Sequence, residues 1–160
     1  MPQVLDISIL VSPATPEWPG DTPFSCLWSW DMAQGASVNV STITTSPHVG
    51  THADTPLHVT PGGAASESIS LDALSGPAIV LDVSDIEHPI TLADVERRLA
   101  PWSDSAVAER ILLRTGHTIA TGAFPDRWPV LTPDCAHELA RRGLRTLGVD
   151  CPSVDERESK

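Results

Sequence analysis

The stretch that most limits the fold lies between two prolines: Ser46-Pro47-His48-Val49-Gly50-Thr51-His52-Ala53-Asp54-Thr55-Pro56-Leu57-His58. Proline removes a backbone donor and clashes with the preceding helical turn, and glycine inside the run adds backbone entropy, so a regular helix is disfavoured here. The spacing of His48 and His52 is therefore not that of two ligands on one helical turn. In an extended chain His48, Gly50, His52 and Asp54 share one face, with i to i+2 repeats of about 6.6 Å and i to i+4 of about 13 Å. Ligand atoms on one zinc lie only ~3.3 Å apart, given bonds of about 2 Å in a tetrahedron. His52 and Asp54 can converge by leaning, whereas His48 can join them only if the chain bends, and Gly50 is where a bend costs least. Imidazole and carboxylate are the ligands that zinc, manganese or iron accepts, so His48, His52 and Asp54 read as a metal-site pattern. A hydrogen-bonded His–Asp pair without metal is the plainer alternative. By spacing, His58 is equally a third ligand, an acid/base group or a core histidine.

At 160 residues, 41% hydrophobic and 19% charged, the chain has the composition of one globular domain with a real core. A net charge of -11 without any basic run argues against nucleic acid as a partner. The opening Met1-Pro2-Gln3-Val4 carries no leader pattern and no apolar run reaches membrane-spanning length, so a cytoplasmic protein without membrane contact is expected. Cys26, Cys135 and Cys151 are widely spaced and form no C-x-x-C, which predicts reduced, mostly buried thiols.

Val4 to Val11 reads as a first strand, ended by a proline-rich loop from Ser12 to Pro23 that carries Trp18 between Pro16 and Pro19. Trp18 either pins that loop or offers an aromatic wall to a ligand. Alternation at Cys26, Trp28 and Trp30, and the β-branched run from Val38 to Thr45, predict antiparallel strands leading into the histidine stretch. From Ala78 the pattern changes. The short apolar runs 78–83, 110–115 and 144–149 read as strands of a covered sheet. Between them lie two helices, one opening at Thr91 with Asp94 three residues on, the other at Thr132-Pro133 and stopped by Gly143. Strand, helix, strand, helix, strand makes an α/β core. His88 and His137 read as surface residues, and His117, at the end of a strand, as a pocket candidate.

The pattern His48-x-Gly50-Thr51-His52-x-Asp54-x-Pro56-x-His58 resembles the signature of the metal-dependent cyclase family. The flanks Trp18-Pro19-Gly20-Asp21-Thr22-Pro23-Phe24, Ser46-Pro47 and Gly148-Val149-Asp150-x-Pro152-Ser153 are similar to its bacterial kynurenine formamidase branch. The resemblance implies a swivelling β/β/α fold: a single α/β domain over residues 1–160, with a mixed sheet and flanking helices. It also implies metal-dependent hydrolysis of N-formyl-L-kynurenine to L-kynurenine and formate, with Trp18 lining the substrate pocket and His58 transferring the proton. Two zinc ions per subunit are implied, or manganese or another divalent metal, bridged by Asp54, in a homodimer. In that branch the second ion also takes a His and a Glu from a C-terminal stretch without counterpart before Lys160. The chain is accordingly expected to be a C-terminally truncated member. The alternatives are another amide or lactone hydrolase of the family, or an inactive metal-binding domain.

Overall fold

In the computed structural model, which describes residues 5–102 and 109–159, the alternating apolar residues of the N-terminal third form a two-stranded ribbon. Strand β1 (Ser25–Trp30) pairs antiparallel with β2 (Val40–Thr44). Asp31 turns the chain by accepting from the Ala33 N–H, and Gly35, at φ 94°, supplies the left-handed step that side chains disfavour. The register sets Cys26 opposite Ile43 and, after a bulge between Trp28 and Trp30, Trp30 opposite Val40. Residues directly opposite share a face, and the three-residue step between Val40 and Ile43 puts these two pairs on opposite faces of the ribbon. The Trp30–Val40 face also pairs Leu27 with Thr42 and carries the Ser29–Thr42 hydroxyl contact at 2.6 Å. Apolar side chains of both faces are uncovered, with Trp28 62%, Trp30 58% and Ile43 60% exposed.

The ribbon belongs to one of two compact units, formed by Met1–Asp54 with Ile119–Phe124; the other comprises Thr55–Thr118 with Pro125–Lys160. Of the strand expected from Val4 to Val11, Val4 lies outside the described residues and residues 5–11 are not a strand. Local β propensity is not enough without a ladder partner. The segment is held instead by the Thr51 hydroxyl accepting from the Ile9 N–H and by the Leu10 carbonyl accepting from Thr15, while Leu5, Ile7 and Leu10 stay exposed.

In the second unit, two short helices, α1 (Pro56–Val59) and α2 (Leu71–Leu74), precede the alternating region. Strands β3 (Ile79–Asp82), β4 (Arg110–Arg114) and β5 (Thr146–Val149) make a parallel sheet in chain order. Helices α3 (Leu92–Leu99) and α4 (Pro133–Arg141) connect them. The register aligns Ile79 with Ile111 and Leu147, and Leu81 with Leu113 and Val149, so one face presents only branched apolar side chains. Val95, Cys135 and Leu139 of the two helices pack on it with Val83, Ile86, Ile90 and Leu131. The opposite face is thinner than the expected covered sheet. Val80 is 58% exposed there, beside Leu112 and Gly148, whose missing side chain leaves room for the Leu112 methyl.

Both helix starts follow their capping residues. Thr132 accepts from the Cys135 N–H with Pro133 at the first helical position. Thr91 and Asp94 form a reciprocal capping box. The Thr91 hydroxyl and N–H, with the Arg97 guanidinium and the neighbouring His88, lower the Asp94 carboxyl to about 2. A folded-state value below the unfolded one stabilises fully above the unfolded pKa and is lost as pH falls through the folded one. Asp94→Asn is therefore expected to be less stable than wild type by a constant margin down to about pH 4, a margin that narrows between pH 4 and pH 2. Urea unfolding across that range measures it, and a margin independent of pH would rule out the carboxylate as its source.

Antiparallel pairing in the ribbon and parallel pairing in the helix-covered sheet give the α/β class expected. Cys135 and Cys151 are buried as expected, but Cys26 is exposed on the ribbon. Burial pushes the Cys151 thiol up to about 11, which makes it a poor nucleophile. No described helix is long and apolar enough to cross a membrane.

Candidate metal centre

The histidine stretch leaves β2 as a turn rather than an extended chain. The buried Ser46 organises it: its N–H donates to the Thr22 carbonyl, its carbonyl accepts from the Val49 N–H at 3.3 Å, and its hydroxyl oxygen accepts from the His48 N–H at 3.2 Å. Ser46 also hydrogen-bonds the Asp21 carboxylate, which, with the Thr22 N–H and the nearby His48, holds that carboxyl below its usual range. The chain then reverses at Gly50, at φ 84°. A Cβ there would meet the Val11 methyl at 2.5 Å, so conformation and space both demand glycine.

The reversal folds His48 back over His52 and Asp54. His48 Nδ1 lies 3.0 Å from Asp54 Oδ1 and 3.3 Å from His52 Nε2, and His52 Nε2 lies 3.4 Å from the same Oδ1. The two rings meet nearly edge to face, at 5.2 Å and 74°. His52 Nδ1 faces the Gly50 carbonyl at 2.9 Å, and because a carbonyl only accepts, the ring proton sits on Nδ1 and the Nε2 lone pair points to the cluster. Three donor atoms separated by 3.0–3.4 Å match the spacing that bonds of about 2 Å impose on a tetrahedral ion. The side chains of His48, His52 and Asp54 are 29%, 30% and 53% exposed, so water and a small ligand reach the cluster. A divalent cation fits this nitrogen and oxygen set, and zinc, manganese and ferrous iron all accept it.

The other residues singled out in the sequence are distributed as follows. Trp18 opens the turn Trp18-Pro19-Gly20-Asp21, closed by the Asp21 N–H on the Trp18 carbonyl at 2.9 Å, with Gly20 at φ 92°. Its indole meets Phe124 edge to face. His58 stands on α1 in the second unit, the helix that Pro56 begins. His137 is exposed on α4. His88 and His117 both line a cavity of about 640 Å³ within the second unit, beside Asp126, Trp128 and Glu156.

Asp150, in the Gly148-Val149-Asp150 run, is not turned to solvent. It accepts from the Thr115 N–H at 2.7 Å, the Thr115 hydroxyl at 2.6 Å and the Gly116 N–H at 3.0 Å, tying the ends of β4 and β5 together. Burial raises its carboxyl, but the bonds from Thr115 and Gly116 outweigh that and hold it below the usual range. Sequence reading passed over Ser46 and Asp21 as working parts of the cluster. The signal was the pair of short polar residues bracketed by Pro19-Gly20 and Pro47.

Residues 5–156 match the model of the family described as putative cyclase. The chain belongs to the cyclase family. Within it, the chain is 38% identical over 160 residues to kynurenine formamidase of Bordetella avium (strain 197N), covering all of this chain and 74% of that protein. Among solved cyclase-family folds, it is similar to a structure described as a predicted metal-dependent hydrolase from Bacillus stearothermophilus. That match is 25% identical with a TM-score of 0.72, over 96% of this chain and 71% of the other. An isatin hydrolase bound to thioisatinate superposes with a TM-score of 0.79 over 96% of this chain and 69% of its own; at 19% identity it shows the fold alone.

Proposed function

We propose that this cyclase-family chain is a metal-dependent amidohydrolase that converts N-formyl-L-kynurenine to L-kynurenine and formate. The observation that carries the reading is the convergence of His48, His52 and Asp54 donor atoms within 3.4 Å, in a chain 38% identical to a kynurenine formamidase. His48, His52 and Asp54 would hold the ion, with zinc as the ion proposed. A bound divalent cation supplies Lewis acidity toward the formyl carbonyl and toward water.

The remaining chemistry falls to side chains. Hydrolysis forms a bond from water oxygen to the formyl carbon and breaks the bond from that carbon to the aryl nitrogen, which must gain a proton as it leaves. His58 is the proposed donor, because imidazole titrates near neutral pH and gives its proton to a departing amine. Formyl is too small a group to select a substrate, so recognition falls on the aryl amino-acid portion, against the Trp18 indole. The assembly proposed is a homodimer, for which the exposed apolar side chains of the β1–β2 ribbon are available to a second copy.

His58→Ala separates chemistry from binding. It is expected to keep wild-type metal content while kcat for formylkynurenine falls by about 10²–10⁴-fold, the usual worth of a positioned acid. Metal content and steady-state rates measured on the same preparation decide it. Loss of metal would make His58 a ligand, and unchanged kcat would remove it from the reaction.

A further inference from the structure

Phe124 is a residue that neither the histidine pattern nor its flanks mark. Its ring centroid lies 5.4 Å from that of Trp18 with the planes at 84°, an edge-to-face pair in the preferred range for aromatic contacts. The segment that carries it, Ile119–Phe124, leaves the chain order: the residues before and after it belong to the second unit, but this segment packs with the first. A single 3₁₀ turn (Ile119–Thr121), closed by the Gly122 N–H on the Ile119 carbonyl at 2.9 Å with Gly122 at φ 85°, delivers Phe124 to Trp18. A six-residue excursion through a tight glycine turn therefore ends on an aromatic contact.

The backbone on the other side is equally constrained. Thr15 is 7% exposed and its hydroxyl both accepts from the Ser12 N–H and donates to the Leu10 carbonyl. The turn at Pro19-Gly20 then fixes the Trp18 carbonyl. Backbone constraints of this kind set where the Trp18 Cβ sits but leave the two side-chain torsions of the indole to be chosen by neighbours. A ring set at 84° against it selects one orientation. Trp18 and Phe124 are both half-buried, so the pair is neither a sealed core contact nor a pair of solvated side chains.

We propose that Phe124 is a positioning residue for substrate: it sets the plane of the Trp18 indole against which the aryl ring of the substrate lies. This rests on the reading of Trp18 as the aryl-recognition residue. Removing the ring loosens the indole and weakens the hold on an aryl ligand, without touching the groups that make and break bonds. The effect belongs in KM and in product affinity.

The test uses Phe124→Leu, which keeps apolar volume and removes the ring, and Phe124→Tyr, which restores it. L-Kynurenine, which retains the aryl amino-acid portion, is the binding probe. Phe124→Leu is expected to weaken kynurenine binding and raise KM for formylkynurenine by about 3- to 10-fold, the range an aromatic pair is worth, with kcat held within about twofold. Phe124→Tyr is expected to restore both. Unchanged kynurenine affinity and KM in Phe124→Leu would overturn the proposal, as would a fall in kcat that Phe124→Tyr does not rescue. A readout independent of substrate is the ¹⁹F signal of Trp18 in 5-fluorotryptophan-labelled protein, assigned with Trp18→Phe. It should shift or broaden in Phe124→Leu and return in Phe124→Tyr, and a signal unmoved by Phe124→Leu overturns the proposal. Wild-type protein that neither binds kynurenine nor deformylates would instead sink the functional reading, and the substrate role with it, whatever the ¹⁹F signal shows.

Discussion

His52→Ala is expected to strip the metal and the activity together. His52 contributes the Nε2 atom that lies within 3.4 Å of both other donors, and its Nδ1 is already committed to the Gly50 carbonyl. An open site with three protein ligands cannot spare one; even losing a residue that only orients a ligand typically costs 10–100-fold in metal affinity. Zinc affinity should fall by more than about 100-fold and deformylation should drop to background. Far-ultraviolet circular dichroism should stay at the wild-type value, because His52 is exposed and outside the core. Competition with a chromogenic chelator gives the affinity, and wild-type zinc binding in this variant would remove His52 from the ligand set.

The largest stability effect is expected at Asp150. Asp150→Ala deprives Thr115, 1% exposed, of the acceptor for its N–H and its hydroxyl, and takes the partner of the Gly116 N–H as well. Buried donors left unpaired cost about 1–3 kcal/mol each, and Asp150 is only partly buried, so a loss of about 2–4 kcal/mol follows. Asp150→Asn keeps the shape but turns one acceptor into a donor, and should lose less. Because the hydrogen bonds depress the Asp150 carboxyl despite burial, its contribution is present above the ordinary carboxylate pKa and fades as pH falls below it. Urea unfolding at neutral pH measures the loss. A change under about 0.5 kcal/mol in Asp150→Ala would show that the β4–β5 junction does not depend on this carboxylate.

The second unit was legible in the sequence because its signals are local. Apolar runs of strand length, Thr91 with Asp94, and Thr132 with Pro133 each name their own element, and β3, β4, β5, α3 and α4 fall where those signals lie. The segment from Val4 to Val11 shows the limit of that reasoning. Its composition suits a strand, but a strand needs a neighbour, and pairing partners are not written in a segment's own residues. The covered-sheet reading failed at Val80 for a related reason: an apolar run reports what could be buried on each face, not what is.

At the candidate site, proline and glycine carried the argument. Pro47, Gly50 and Pro56 excluded a helix and pointed to a bend, and the structure bends at Gly50. What spacing could not show was how tightly the bend closes, because that depends on Ser46 and Val11, residues with no chemistry of their own at the cluster. Phe124 was beyond reach for the same reason as the first strand, since its contact with Trp18 spans most of the chain.

The claim on which the rest depends is that His48, His52 and Asp54 hold the divalent ion that hydrolysis requires. It is tested by stripping the protein with a chelator, returning zinc in steps, and measuring bound zinc per chain and the rate of formylkynurenine deformylation on the same samples. The account predicts a metal-free rate at background and a rate that rises in proportion to the first equivalent of zinc bound. A stripped protein that deformylates at the full rate, or one that takes up no zinc at all, would contradict it.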